Sequence, residues 1–343
     1  MKNQRDAFIL YAVVLGVTMS ALFGCAASEK QLSVEGNYTA HYAAANTMAP
    51  PIMTADDYER LGDMYYDKDN LHNAFLQYEK SLGLQPDNFR VHYKKALSLL
   101  AGGMNKAAIK EFQAVLKINS DYALAYEGIG QAYFQMKKYD DGITYFIEAI
   151  ALDVTLWKAR TYLGIIYDRN NKHEMAIKEY KEAIALNPKV GLLYNNLGVS
   201  YYEAGEYERA VSAFKNAIEK KYDNGKVHNN LGLAFSKVGK YEETLIAFKE
   251  AGDEAKAYNN LGCIFLQQRE YKKAINYFEK AININPHFYA IATENLKKAK
   301  VGYSNGAPTR NNARMNDLGD DDYLLGNKAG MNDVGEDDYT LEE

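Results

Sequence analysis

The sequence predicts an all-α solenoid built from seven copies of one helical hairpin. Three observations carry that reading. Laid out at a 34-residue step, the chain falls into units at 55–88, 89–122, 123–156, 157–190, 191–224, 225–254 and 255–288. Position 24 of every unit is aromatic: Tyr78, Phe112, Phe146, Tyr180, Phe214, Phe248 and Phe278. Small residues recur at position 8 (Gly62, Ala96, Gly130, Gly164, Gly198, Gly232, Gly262) and at position 20 (Ala74, Ala108, Gly142, Ala176, Ala210, Thr244, Ala274).

Composition sets the outer bounds. The chain has 343 residues, 47% hydrophobic and 25% charged, which excludes a wholly disordered polymer. Two cysteines exclude a disulfide scaffold and a cysteine-based zinc site. A formal charge of −5 argues against nucleic acid as a partner. Twenty-nine tyrosines are the outlier, and the repeat accounts for most of them.

The N-terminus reads as an address. Lys2 and Arg5 precede an apolar run from Ala7 to Phe23, 17 residues long and short of the ~20 that a spanning helix wants. Leu22-Phe23-Gly24-Cys25-Ala26 resembles the lipobox of bacterial lipoproteins, making 1–24 a signal peptide and Cys25 the lipidated residue. An uncleaved anchor helix is the other reading. Lipidation of Cys25 would leave Cys263 as the single thiol. The lack of Asp after the cysteine resembles the pattern of outer-membrane sorting, and acyl chains would tie the chain to a bilayer. Residues 25–54, with Pro50-Pro51 and no sustained period, read as lipidated cysteine plus flexible tether.

Within each unit, positions 4, 7, 8 and 11 share one face of the first helix (A), and positions 20, 24 and 27 share one face of the second (B). Small residues at 8 and 20 let the helices approach, and the ring at 24 fills the space beside them. Pro86, Pro188 and Pro286 follow helix B, where proline stops a helix. The pattern resembles the tetratricopeptide repeat, with tyrosine, histidine or arginine in its tryptophan slot. That resemblance implies a right-handed superhelix with a groove lined by A helices. Lys95 stands where other units carry Leu or Ile, so it either loosens the packing or snorkels. The sixth unit lacks four residues after Ala251, which shortens its helix by roughly 6 Å at 1.5 Å per residue. Residues 289–300 continue the helix-A pattern but turn polar, as a capping helix would.

Chemistry is argued mostly from absence. His173-Glu174 lacks the second histidine of a zincin, and Gly128-Ile129-Gly130 lacks the third glycine of a dinucleotide loop. No phosphate-loop or nucleophile-elbow motif occurs, so neither enzyme activity nor a cofactor or metal is expected.

The groove carries the functional candidates. Three successive units hold Asn195-Asn196, Asn229-Asn230 and Asn259-Asn260. The family resemblance implies an asparagine ladder that grips extended peptides through their backbone, since an amide both donates and accepts. The alternative is that these amides only bridge neighbouring A helices. Taking positions 2, 5, 9, 12 and 13 as groove-facing, unit one is acidic (Asp56, Glu59, Asp63, Asp67). Lys158, Arg169, Lys226, Lys237 and Lys256 make the later units basic, and Leu97, Leu100, Phe134, Ile165, Val199 and Tyr202 form an apolar middle. The expected partner is another protein, presenting an extended or acidic segment; scattered solvated charge is the plainer reading.

The tail, 301–343, holds ten acidic and three basic residues. Within it, Met315-Asn316-Asp317-Leu318-Gly319-Asp320-Asp321-Asp322-Tyr323-Leu324-Leu325 returns 16 residues later as Met331 to Leu341, with eight of eleven positions identical. Asp321, Asp322, Tyr323 and Leu325, with Asp337, Asp338, Tyr339 and Leu341, read as two copies of a docking motif. Its target is another protein or the basic part of this chain's own groove; a solubilising spacer and, more weakly, a calcium site are the alternatives. Signal, lipobox and repeats together resemble the assembly lipoproteins of tight-adherence (Flp) and type IV pili. The implied function is a lipid-anchored envelope scaffold that binds extended peptide segments, held at the outer membrane and facing the periplasm, with an adaptor for peptidoglycan hydrolases or polysaccharide-export enzymes as the alternative.

Overall fold

In the computed structural model the described residues are 53–284 and 289–306. The signal peptide, Cys25, the tether up to residue 52 and both tail motifs lie outside them. Fifteen helices and no strand occur among the described residues. They pair as α1 (Ala55–Tyr66) with α2 (Leu71–Leu84), α3 (Phe89–Ala101) with α4 (Asn105–Ile118), and α5 (Ala123–Gln135) with α6 (Tyr139–Leu152). Next come α7 (Trp157–Arg169) with α8 (His173–Leu186), α9 (Gly191–Glu203) with α10 (Tyr207–Glu219), and α11 (Gly225–Lys237) with α12 (Tyr241–Glu250). The last pair is α13 (Glu254–Gln267) with α14 (Tyr271–Ile284), and α15 (Tyr289–Gly306) closes the array. The fold is an all-α repeat superhelix. α12 has 10 residues where α14 has 14, so the residues missing from the sixth unit come out of its second helix.

Each hairpin is held at one crossing. Phe214 is fully buried against the backbone of Gly198, where an added Cβ would lie 2.6 Å from the ring. The same contact joins Gly130 to Phe146, Gly164 to Tyr180, Gly232 to Phe248 and Gly262 to Phe278. Burying a ring of this size contributes about 1.5–3 kcal/mol. Unit two carries Ala96 instead of glycine; Phe112 lies against Gly128 of the following unit. One ring thereby packs across a repeat boundary, as Phe146 does by stacking on Tyr162 at 5.1 Å and 2°.

The turn between A and B is a second repeated device. Position 15 has positive φ in all seven units: Asp69, Gly103, Lys137, Asn171, Gly205, Gly239 and Arg269. The next N–H donates back to the carbonyl of position 11, as Asn70 does to Tyr65 (2.9 Å), Glu206 to Tyr201 (2.8 Å) and Glu270 to Phe265 (2.9 Å). This left-handed cap satisfies carbonyls that the helix end leaves orphaned. At the array's start, Thr54 and Asp57 form a reciprocal capping box, and those hydrogen bonds pull the Asp57 carboxyl down to about 2.

Two expectations change. Lys95 neither snorkels nor loosens the unit: it is buried, ion-paired to Glu79 and to Glu111 (3.0 Å), and lies over the Phe75 ring at 5.3 Å. Opposite charge on both flanking B helices makes burial of the ammonium tolerable. The capping helix runs past 300 to Gly306, because Ala299 and Gly302 still pack inward against the last hairpin.

Two substitutions test these devices. Gly198→Ala forces Phe214 out of place and should lower stability by about 1–3 kcal/mol, as overpacking does. Arg269→Gly removes a left-handed strain of about 1–2 kcal/mol and should raise the chemical-denaturation midpoint; an unchanged or lower midpoint would count against the cap.

Candidate functional site: the row of A helices

The odd-numbered helices lie side by side, and side chains one repeat apart meet along that row. Between α1 and α3, Lys94 Nζ donates to Glu59 Oε1 and to Asp63 Oδ2, both at 2.7 Å. Two groups of the acidic patch read in unit one are therefore already partnered within the fold. Between α7 and α9, Ser200 Oγ donates to Asp168 Oδ2 at 2.6 Å, and His173 Nδ1 lies 3.0 Å from Asp168 Oδ1. Burial raises the Asp168 pKa despite those hydrogen bonds.

The asparagines belong to the same series. Asn230 Nδ2 donates to Asn195 Oδ1 at 3.4 Å, and Asn195 Nδ2 to Asn196 Oδ1 at 3.4 Å. Further along, Asn295 Nδ2 donates to Asn259 Oδ1 at 3.0 Å. Asn195, Asn196, Asn230, Asn259 and Asn260 are 2–8% exposed, while Asn229 is half-buried. As folded, the paired amides bridge neighbouring A helices, the second of the two roles open at the sequence level. Asn196 Nδ2 is buried with no hydrogen-bond partner in the structure. Asn295 was not singled out by sequence, although it stands 36 residues after Asn259, about one repeat further.

The apolar middle is not an open floor. Leu100, Phe134, Ile165 and Val199 are buried, and Leu97 and Tyr202 are half-buried. Phe134 packs edge-on to Tyr162 at 5.1 Å and to Tyr139 at 5.6 Å. Close approach of successive A helices puts these residues in the core, which corrects the expectation that positions 9 and 12 face outward throughout. The cations stay at the surface. Arg169, Lys226, Lys237 and Lys256 are exposed, and Lys158 is half-buried. Arg169 lies over the Tyr139 ring at 5.3 Å, Lys237 over Tyr207 at 5.9 Å and Lys158 over Trp157 at 5.7 Å. Such contacts hold a guanidinium or ammonium in place without neutralising it.

One group escaped the sequence reading altogether. Glu127 sits at position 5 of unit three, where later units carry Thr161, Asn195, Asn229 and Asn259. It is 6% exposed and its Oε1 has no hydrogen-bond partner. Burial pushes its carboxyl up to about 7, against the opposing pull of Lys158 and the Ala159 backbone. A carboxylate at a position where every later unit carries a neutral residue was the available signal. Burial likewise pushes the Cys263 thiol up to about 12, beside Asn259 and Asn295. Among the described residues no group of three His, Cys, Asp or Glu could hold a metal, and no helix is long and apolar enough to cross a membrane.

Comparison with known proteins fits this geometry. Sequence models described as tetratricopeptide repeat match residues 58–88, 123–153 and 255–288, and one described as TPR repeat matches 97–137, 164–205 and 199–239. The TPR repeat-containing thioredoxin TTL4 of Arabidopsis thaliana is 24% identical over 92 residues, which span 27% of this chain and 14% of that protein. Among solved structures, the PilF of Pseudomonas aeruginosa is similar at 18% identity and a TM-score of 0.52, over 61% of this chain and 96% of its own. A structure of MamA is similar at 28% identity and a TM-score of 0.43, over 47% of this chain and 95% of its own. The likeness to PilF is one of fold.

Two measurements follow from the buried groups. Because the folded Glu127 binds its proton more tightly than the unfolded chain does, its contribution lowers stability as pH rises from about 4.5 through about 7. Glu127→Gln should flatten that slope and raise stability at pH 8; an unchanged slope would exclude Glu127 as its source. In a Cys25→Ser background, Cys263 should react with a thiol reagent only as fast as the array opens, and reaction at the rate of an exposed thiol would contradict its burial.

Proposed function

From the premise that the chain is built of tetratricopeptide repeats, we propose that it is a lipid-anchored scaffold of the bacterial envelope that holds an extended segment of another protein along its A helices. The observation that carries this reading is the set of exposed cations on the A helices of units four, six and seven. Arg169, Lys226, Lys237 and Lys256 remain exposed after the helices have packed, while Val199 between them is buried and Tyr202 half-buried. A surface of that kind favours an extended acidic partner, steered by charge and accommodated over several repeats. The buried amides keep the A helices in register beneath it, and half-buried Asn229 remains within reach of a bound backbone.

Membrane attachment through Cys25 rests on the lipobox-like sequence. The place of the scaffold in pilus or secretion-machine assembly, at the outer membrane and facing the periplasm, rests on the joint resemblance of signal, lipobox and repeats to the pilus assembly lipoproteins.

Replacing Lys226, Lys237 and Lys256 together by Glu should weaken binding of an acidic peptide at least 100-fold while leaving the helical spectrum intact; retained affinity would remove the charge-guided reading. Cys25→Ser should abolish fatty-acid labelling and release the protein from the membrane fraction. A membrane-bound, unlabelled variant would replace the lipid anchor with an uncleaved helix.

A further inference from the structure

Among the described residues the array ends on an unmatched helix face. In each hairpin, helix A covers one side with its own helix B, but α15 is followed by no further helix among the described residues. Asn295-Leu296 repeats the Asn260-Leu261 of α13, which puts Lys297 where α13 has Gly262. Gly262 admits the Phe278 ring to within 2.6 Å of where a Cβ would stand. A lysine there is incompatible with a ring seated in the same way, so this face suits an occupant unlike the earlier B helices.

The stripe has a definite character. Thr293, Leu296, Lys297, Lys300, Val301 and Ser304 line one shallow depression along the helix, with residues three and four apart on a common face. Val301 is 49% exposed and Leu296 half-buried, so an apolar strip is flanked by two lysines. Thr293 Oγ1 is buried without a hydrogen-bond partner. Lys300 contacts Glu279 at 3.4 Å, with both side chains about half exposed, and an exposed pair of that kind is weak.

We propose that the open face of α15 is a docking site for this chain's own tail, occupied by Met315–Leu325 and alternatively by its second copy, Met331–Leu341. The chemistry matches on both counts. Asp320, Asp321 and Asp322 offer the negative charge that Lys297 and Lys300 call for, and Tyr323 and Leu325 offer apolar groups for Leu296 and Val301. Connection and length also fit. Tyr323 lies 17 residues beyond Gly306, up to about 55 Å of extended chain, whereas the 18 residues of α15 span about 27 Å. Covalent attachment gives the tail a local concentration in the millimolar range, which a separate acidic partner would have to exceed. A second copy of the motif raises occupancy further. The tail then does for the last A helix what helix B does in each repeat. This does not depend on the groove or the lipid anchor.

The test is amide hydrogen exchange on the full mature chain in detergent, compared with a full-length variant carrying Tyr323→Ser, Leu325→Ser, Tyr339→Ser and Leu341→Ser. Docking predicts that exchange in α15 accelerates about tenfold or more in the variant, that α13 is unaffected and that protection is independent of protein concentration. Lys297→Glu with Lys300→Glu should produce the same loss, and reversing the tail charges (Asp320→Lys, Asp321→Lys, Asp322→Lys and the matching Glu336, Asp337 and Asp338→Lys) should restore protection. Equal α15 exchange in parent and variant would overturn the proposal, as would protection that grows with concentration, which would indicate a second copy. Failure of the charge swap to rescue would overturn the assigned contact.

Discussion

The structure depends on one contact, the ring at position 24 resting on the bare backbone of a glycine at position 8. With no Cβ in the way, Phe214 reaches Gly198 and Phe278 reaches Gly262, and both rings are fully buried. That contact fixes how far apart A and B lie, and hence how one hairpin stacks on the next. Solenoid stability is a sum of such units and their interfaces, so each repeat that carries the contact adds to the stability of the whole array. Unit two shows the tolerance. With Ala96 in the glycine slot, Phe112 lies instead against Gly128 across the repeat boundary.

Stacking at that distance shapes the row of A helices. It brings Lys94 to Glu59 and Asp63, Ser200 to Asp168, and Asn230 to Asn195. The same closeness buries Phe134, Ile165 and Val199. Polar residues on this face therefore divide into two sets. One set holds neighbouring repeats in register; the other, the cations at the ends of the A helices, stays in contact with water. In the proposed scaffold role, partner binding relies on the outer set, with the inner set supplying rigidity.

The hairpins are legible because their signal recurs with the chain's own period: one small residue at position 8 and one ring at position 24 per unit suffice to place both helices. The shortened α12 was legible for the same reason, as a break in that period after Ala251. The A–B cap was harder to see, since its left-handed position is filled by Gly, Asn, Asp, Lys and Arg, and backbone geometry rather than residue type defines it. The face each A-helix residue presents was only half legible. Helical spacing tells which residues share a side, but not that a neighbouring helix comes close enough to cover Leu100 or Val199. Lys95 misled for a related reason: its partners Glu79 and Glu111 lie on two B helices, and a single helix pattern contains neither.

Site-specific photocrosslinking in intact cells tests the central claim, that the A-helix row holds another polypeptide. A photoreactive residue at Asn229, half-buried on α11, is compared with one at exposed Glu242 on α12. The account predicts a discrete protein adduct from position 229 that is absent from position 242. The same adduct from both positions, or an adduct from 242 alone, would contradict it.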